Sequence, residues 1–236
     1  MKNKINLQNT VGLFAATLIF TVFPIGAVQQ PGVEERVAAI KQSLEKSMQQ
    51  IQQYQWTETT VVSYKGEEKS QTQKSCVYGM DGKVKKTEVG PPPETKKKRG
   101  LRGRIVEKKT EEIEEYMKKA VNLVHAYVPP SPGRLQILKD AGKAGIEILE
   151  PNKRVQVQFR DYHQDGDMLG IEFDTVNNLL LGYQVSSFID KPEDAVNLKV
   201  SFATLTDQTV YASTVALDAK AKEIHGRCAE LGLRQS

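Results

Sequence analysis

The spacing of hydrophobic positions changes along the chain, and each change marks a different kind of element. From Val33 to Gln53, apolar residues fall at Val33, Val37, Ile40, Leu44, Met48 and Ile51. Steps of three and four place them on one face of a helix. Pro31-Gly32 precede this segment, and Glu34-Glu35 suit the positive end of its dipole. The period then drops to two. Tyr54–Tyr64 is rich in aromatic and β-branched residues, which fit a pleated strand. Lys65-Gly66 marks a turn, and a second strand runs to Tyr78. Asp81-Gly82 tolerates the positive φ angles of a tight hairpin, so a third strand is expected over Lys83–Val89. Gly90 and Pro91–Pro93 end it, because proline cannot donate to a ladder.

Helical spacing returns after Thr110, which stands as a cap ahead of Glu111, Glu112, Glu114 and Glu115. Ile113, Tyr116, Met117, Ala120, Val121, Val124, Tyr127 and Val128 form a broad apolar stripe. Pro129-Pro130 stop this helix. Ser131-Pro132 open a shorter one carrying Leu135 and Leu138, with Gly142 and Gly145 at its end. From Arg154 the period is two almost throughout. Five strands joined by short turns follow, through Phe159, Phe173, Tyr183, Phe202 and Leu217. This is an antiparallel meander with one face on a core and the other in water. Lys220–His225 could begin a sixth strand, but Gly226–Gly232 loses the alternation. An irregular tail is expected over residues 226–236.

The first residues change the picture of where the protein resides. Lys2 and Lys4 precede the uncharged apolar run Val11–Val22, with Ala27 at a plausible cleavage point. This pattern predicts a secretory signal over residues 1–27, followed by one domain over 28–225. The run is shorter than the roughly 20 residues of a spanning helix. Export to the periplasm or cell envelope is the expectation. The 236-residue chain carries a formal net charge of +4, or +2 once Lys2 and Lys4 are removed. Between Lys83 and Lys109 there are 11 basic and 3 acidic residues, so the basic character is local. It centres on a loop expected over 90–106, with Lys96, Lys97, Lys98, Arg99, Arg102 and Arg104. No aromatic residues are interleaved there for base stacking. An anionic membrane surface is the better partner for it than nucleic acid.

Candidate chemistry is sparse. Asp161, His163, Asp165, Gly166, Asp167 and Glu172 come close to a calcium loop. His163 is a poor ligand for a hard cation, however, and the flanks read as strands. An ordinary hairpin turn accounts for the same residues. His125 sits beside the helical stripe without partners at ligand spacing, so no metal site and no cofactor are expected. The sequence contains no Gly-x-Ser-x-Gly, no His-Glu-x-x-His and no phosphate-cradling glycine loop. No enzymatic activity is therefore expected. A carboxylate-based hydrolase would require two buried acids clustered in a cleft. Cys76 and Cys228 are the only cysteines. Export permits a disulfide between them, but the sequence does not fix their separation.

The order of elements is export signal, amphipathic helix, aromatic strands, helical insertion and long meander, the last including Phe173–Gly182. This order resembles the superfamily of periplasmic lipoprotein-sorting carriers, LolA and its receptor LolB, and related exported bacterial proteins of unknown function. The resemblance implies an α+β fold. A curved, half-barrel-like antiparallel sheet would pack on an N-terminal helix and two central helices. It implies a hydrophobic ligand such as a lipid or lipoprotein acyl chain. The residues lining such a site would come from Tyr116, Met117, Val124, Phe159, Phe173, Tyr183 and Phe202, which are core candidates as well. The alternative is a cell-envelope interaction protein whose basic loop or sheet edge docks a protein or an anionic membrane.

Overall fold

The computed structural model describes residues 33–90, 101–220 and 223–235. Its fold is α+β, with a curved open antiparallel sheet and three helices. Helix α1 (Val33–Gln50) runs through a short 3-10 turn at Ile51–Gln53 into β1 (Tyr54–Tyr64), β2 (Glu67–Tyr78) and β3 (Val84–Val89). Helices α2 (Leu101–Val124) and α3 (Pro132–Asp140) follow. The remaining strands are β4 (Ala144–Glu150), β5 (Arg154–Arg160), β6 (Met168–Asp174), β7 (Leu179–Phe188), β8 (Ala195–Thr204), β9 (Val210–Ala219) and β10 (Ile224–Gln235). The ten strands lie in the order β3-β2-β1-β10-β9-β8-β7-β6-β5-β4, every neighbour antiparallel.

The alternation along β5–β9 does what the sequence predicts. Val157, Phe159, Leu169, Ile171, Phe173, Tyr183, Val185, Val196, Leu198, Val200, Val215 and Leu217 all point to one buried face. Helices α2 and α3 close over it with Met117, Ala120, Val121, Val124, Leu135 and Leu138. Burying one such large side chain stabilises the fold by about 1.5–3 kcal/mol. Close approach within the sheet needs a glycine at one position. A Cβ on Gly182 would lie 2.5 Å from the Val200 carbonyl oxygen of the adjacent strand. Helix α1 is tied to β9 by a hydrogen bond as well as by packing. The Val210 N–H donates to Ser47 Oγ at 2.8 Å, and Ser47 Oγ donates to the Ser43 carbonyl at 2.7 Å.

Three expectations are corrected. The stretch 226–236 is not an irregular tail, since residues through Gln235 form β10. This strand joins the two halves of the sheet, pairing with β1 on one side and β9 on the other. Its buried positions are Ile224, Gly226, Cys228 and Glu230, and His225 and Arg227 alternate outward. The period of two is present, but glycine, cysteine and glutamate hide it from a hydrophobicity reading. Secondly, Gly145 does not end α3 but lies inside a strand absent from the expected set, β4. All seven of its residues are at least partly exposed. An edge strand buries too little for the core pattern to declare it. Thirdly, α2 begins at Leu101 and not at Thr110. Arg102 and Arg104 therefore lie on a helix, where arginine and leucine are good formers. The rest of the expected loop 90–106, including Lys96, Lys97, Lys98 and Arg99, lies outside the described residues except at Gly90 and Leu101–Val106. The leader over 1–27 also lies outside them.

Candidate functional site

The seven residues proposed to line a ligand site come together in one place. Met117, Val124, Phe159, Phe173 and Tyr183 are buried in a single cluster, and Tyr116 and Phe202 pack half-buried against it. Three come from α2 and one each from β5, β6, β7 and β8. Tyr183 and Phe202 meet edge-on, with ring centroids 5.3 Å apart and planes at 89°, the arrangement aromatic quadrupoles favour. Burial pushes the Tyr183 phenol well above its ordinary range. The Tyr116 hydroxyl oxygen is buried without a hydrogen-bond partner among the described residues. Burial raises its pKa first, and Asp194 and Asp190 add to that. This wall is therefore apolar, with a polar tip at one end.

The same face continues to the sheet edge beyond the helices. Ile146 pairs with Val157 and Ile148 with Val155 across β4 and β5. Opposite residues of a strand pair share a face, so both isoleucines extend the inner surface. They are 45% and 67% exposed. The inner surface thus begins under α2 and ends in the open.

The Asp161–Asp167 segment is the connection between β5 and β6, and its carboxylates serve the turn. Asp167, buried, accepts the backbone N–H groups of Tyr162 at 2.6 Å, His163 at 3.0 Å and Gln164 at 2.7 Å. It also accepts the Tyr127 hydroxyl, which pairs with Ser187 Oγ at 2.7 Å. Asp161 accepts Gly166 N–H at 2.7 Å and faces Lys143 Nζ at 2.9 Å. Both hold its carboxyl below the usual range, the Gly166 N–H most strongly. The calcium reading fails here because the oxygens of Asp167 are already taken by donors. His163 packs edge-on against the Tyr127 ring. Arg134 donates to the carbonyls of Tyr162 and Asp161, and Ser131 N–H donates to Tyr162 Oη. These bonds clamp the α2–α3 corner onto the turn.

A second polar group, unforeseen as a group, lies on the inner face of β1. Tyr54, Trp56, Glu58 and Thr60 alternate inward and are buried. Glu58 stands directly opposite Glu230 of β10, and Thr60 opposite Cys228. On the other flank, Trp56 stands opposite Cys76 of β2, and Cys76 opposite Lys86 of β3. Lys86 Nζ donates to Glu58 Oε2 at 2.8 Å. Glu58 Oε1 has no partner among the described residues, and neither does the Trp56 indole nitrogen. Glu230 is pushed up to about 8, by burial first and then by Glu58, with Lys86 pulling the other way. Two carboxyls side by side in low dielectric cannot both ionise without strong opposition. Cys76 and Cys228 are both free thiols. Burial, reinforced by Glu58, pushes them up to about 11 and about 12, so thiolate chemistry is suppressed at neutral pH. Sequence reasoning placed Glu58 on a strand but had no signal for Glu230, whose strand it did not foresee. The two come together only through the β1–β10 pairing.

No protein-family model matches the chain, and no curated protein does. Solved structures are similar to it, these two among them. One is the crystal structure of a LolA superfamily protein from Nitrosomonas europaea, with 6% sequence identity and a TM-score of 0.35. The other is a DUF1329 family protein from Desulfovibrio piger, with 9% identity and a TM-score of 0.34. Each match covers 84% of this chain and 93% of the other. The resemblance read from element order thus recurs, weakly, among solved structures.

Proposed function

We propose that this is a non-catalytic exported protein that holds a hydrophobic ligand, of the class of a lipid or lipoprotein acyl chain, against the inner face of its sheet. One observation carries the reading. The apolar inner surface that α2 and α3 cover in the middle continues uncovered to Ile146 and Ile148 at the open edge. An acyl chain entering at that edge would lie on Ile146, Ile148, Val155 and Val157 on its way towards Phe159 and Phe173. Tyr116, Met117 and Val124 on α2 are the residues such a chain would part from the sheet. Export rests on the charged and apolar pattern of residues 1–27. Among the described residues, no helix is long and apolar enough to cross a membrane.

The test is mass spectrometry of the full chain expressed with its leader and purified from the exported fraction. A native mass above the denatured mass by that of a lipid, released on denaturation, is the expected result. The denatured mass should correspond to a chain beginning just after Ala27. A clean native mass, together with no uptake of a fluorescent fatty acid, would overturn the carrier reading.

A further inference from the structure

The buried group on β1 is arranged as a site that lacks one partner. Its location is continuous with the apolar interior: Cys228, opposite Thr60, and Ile224, opposite Tyr64, both belong to the hydrophobic core cluster. The inner surface is therefore graded, apolar under α2 and α3 and polar at the β1–β10 seam. Two orphaned atoms define the polar end. Glu58 Oε1 is an acceptor and the Trp56 indole N–H is a donor, on side chains 1% and 5% exposed overall. A buried polar atom without a partner costs about 1–3 kcal/mol. The local backbone is also shaped here. Between Gln55 and Thr57 on β1, β10 advances by three residues, from Arg234 to Leu231, and Gly232 in that bulge has φ +66°. Bulges of this kind re-aim the side chains beside them.

Charge identifies what is missing. Glu58 and Glu230 face each other, and Lys86 is the cation set against both. Lys74 of β2, half-buried, stands opposite Glu58, with the exposed Glu88 of β3 opposite it, and the neutral groups turned towards the pair are Cys76, Cys228, Tyr78 and Tyr211. A further cation with N–H donors would reach the oxygen of Glu58 that neither lysine is bonded to and balance an ionised Glu230. An oxygen beside that cation would accept the Trp56 indole N–H.

Resting on the carrier reading, we propose that Trp56, Glu58 and Glu230 bind the head group of an amphipathic ligand, an ammonium with a neighbouring hydroxyl or carbonyl oxygen. The acyl chain then lies along the apolar part of the same face. Glu230 releases its proton to solvent as the ammonium arrives.

The experiment is calorimetric titration of the mature protein at pH 7 with three single-chain probes below their micelle concentrations: N-dodecylethanolamine, dodecanol and dodecanoate. The amine should bind at least about tenfold more tightly than dodecanol, the step a single well-placed charged contact supplies. Dodecanoate should bind most weakly. Glu230→Gln keeps the shape of the protonated acid and should cut the amine's advantage to below about threefold. Lys86→Met removes the competing cation, and the amine should then raise the melting temperature of that variant more than that of the parent. Equal binding of all three probes would overturn the head-group site while leaving the carrier reading intact. No binding of any probe, with no lipid in the native mass, would remove both. An amine preference that survives in Glu230→Gln, or no added stabilisation of Lys86→Met, would also overturn the head-group site.

Discussion

Two buried carboxylates in this protein are treated in opposite ways. Asp167 is 2% exposed and accepts three backbone N–H groups and a tyrosine hydroxyl. Glu58 is 1% exposed and has one lysine on one oxygen, nothing among the described residues on the other, and a second carboxyl opposite. The first is saturated by three backbone groups from its own turn and one tyrosine hydroxyl from the end of α2. The second depends on side chains from three strands and is still short of a partner. The difference teaches which polar group serves the fold and which is open to a ligand. A carboxylate saturated mostly by the backbone N–H groups beside it is part of a turn. A carboxylate with a free buried oxygen holds desolvation free energy that a bound group could relieve.

The largest expected effect breaks the saturated side of this comparison. Asp167→Ala leaves three backbone N–H groups and Tyr127 without their acceptor in a buried turn. A loss on the order of 3 kcal/mol or more is expected in urea unfolding. A loss under about 1 kcal/mol would show that water replaces the carboxylate and that the turn is not held by it.

The next effect concerns the unsaturated side and is read as a pH profile. An unfolded glutamate titrates at about 4.3, and Glu230 is raised to about 8 in the fold. Between those values the folded protein binds a proton that the unfolded chain has released. Stability therefore falls as pH rises from about 4.3 to about 8, and this contribution levels off above. Glu230→Gln should flatten that slope and be the more stable protein above pH 8, by on the order of 2 kcal/mol. Parallel pH profiles for the two proteins would mean that Glu230 is not held protonated by the seam.

The smallest effect on stability tests the uncovered edge. Ile148 is 67% exposed, so Ile148→Ser should change stability by no more than about 0.5 kcal/mol. It should nonetheless weaken uptake of a fluorescent fatty acid, because it places a hydroxyl where the chain would enter. Unchanged uptake would move the entry away from β4.

How much was legible depended on what each element buries. The stripe Ile113–Val124 and the runs through Phe159, Phe173 and Tyr183 bury large apolar side chains, so their periods stood out. Asp81-Gly82 was legible as a hairpin from its backbone needs alone, and Gly82 does adopt φ +70°. The strand β4 buries almost nothing, and β10 buries glycine, cysteine and glutamate, so neither announced itself. The apolar cluster is therefore legible in the sequence. The polar group was not, since Glu230 lay in a stretch that hydrophobicity could not assign.

The sequence by itself determined the local elements: the helical faces, the alternating strands, the tight turns and the apolar composition of the inner face. These depend on residues within a few positions of one another, where period and φ preference act directly. Only the tertiary structure decided that the last strand pairs with the first, closing two meanders into one ten-stranded sheet. That pairing sets Glu58 against Glu230 and, through β2 and β3, brings Lys86 to them. Register between strands far apart in the chain is fixed by the packing of the whole inner face. No local pattern encodes which two residues it will bring opposite each other.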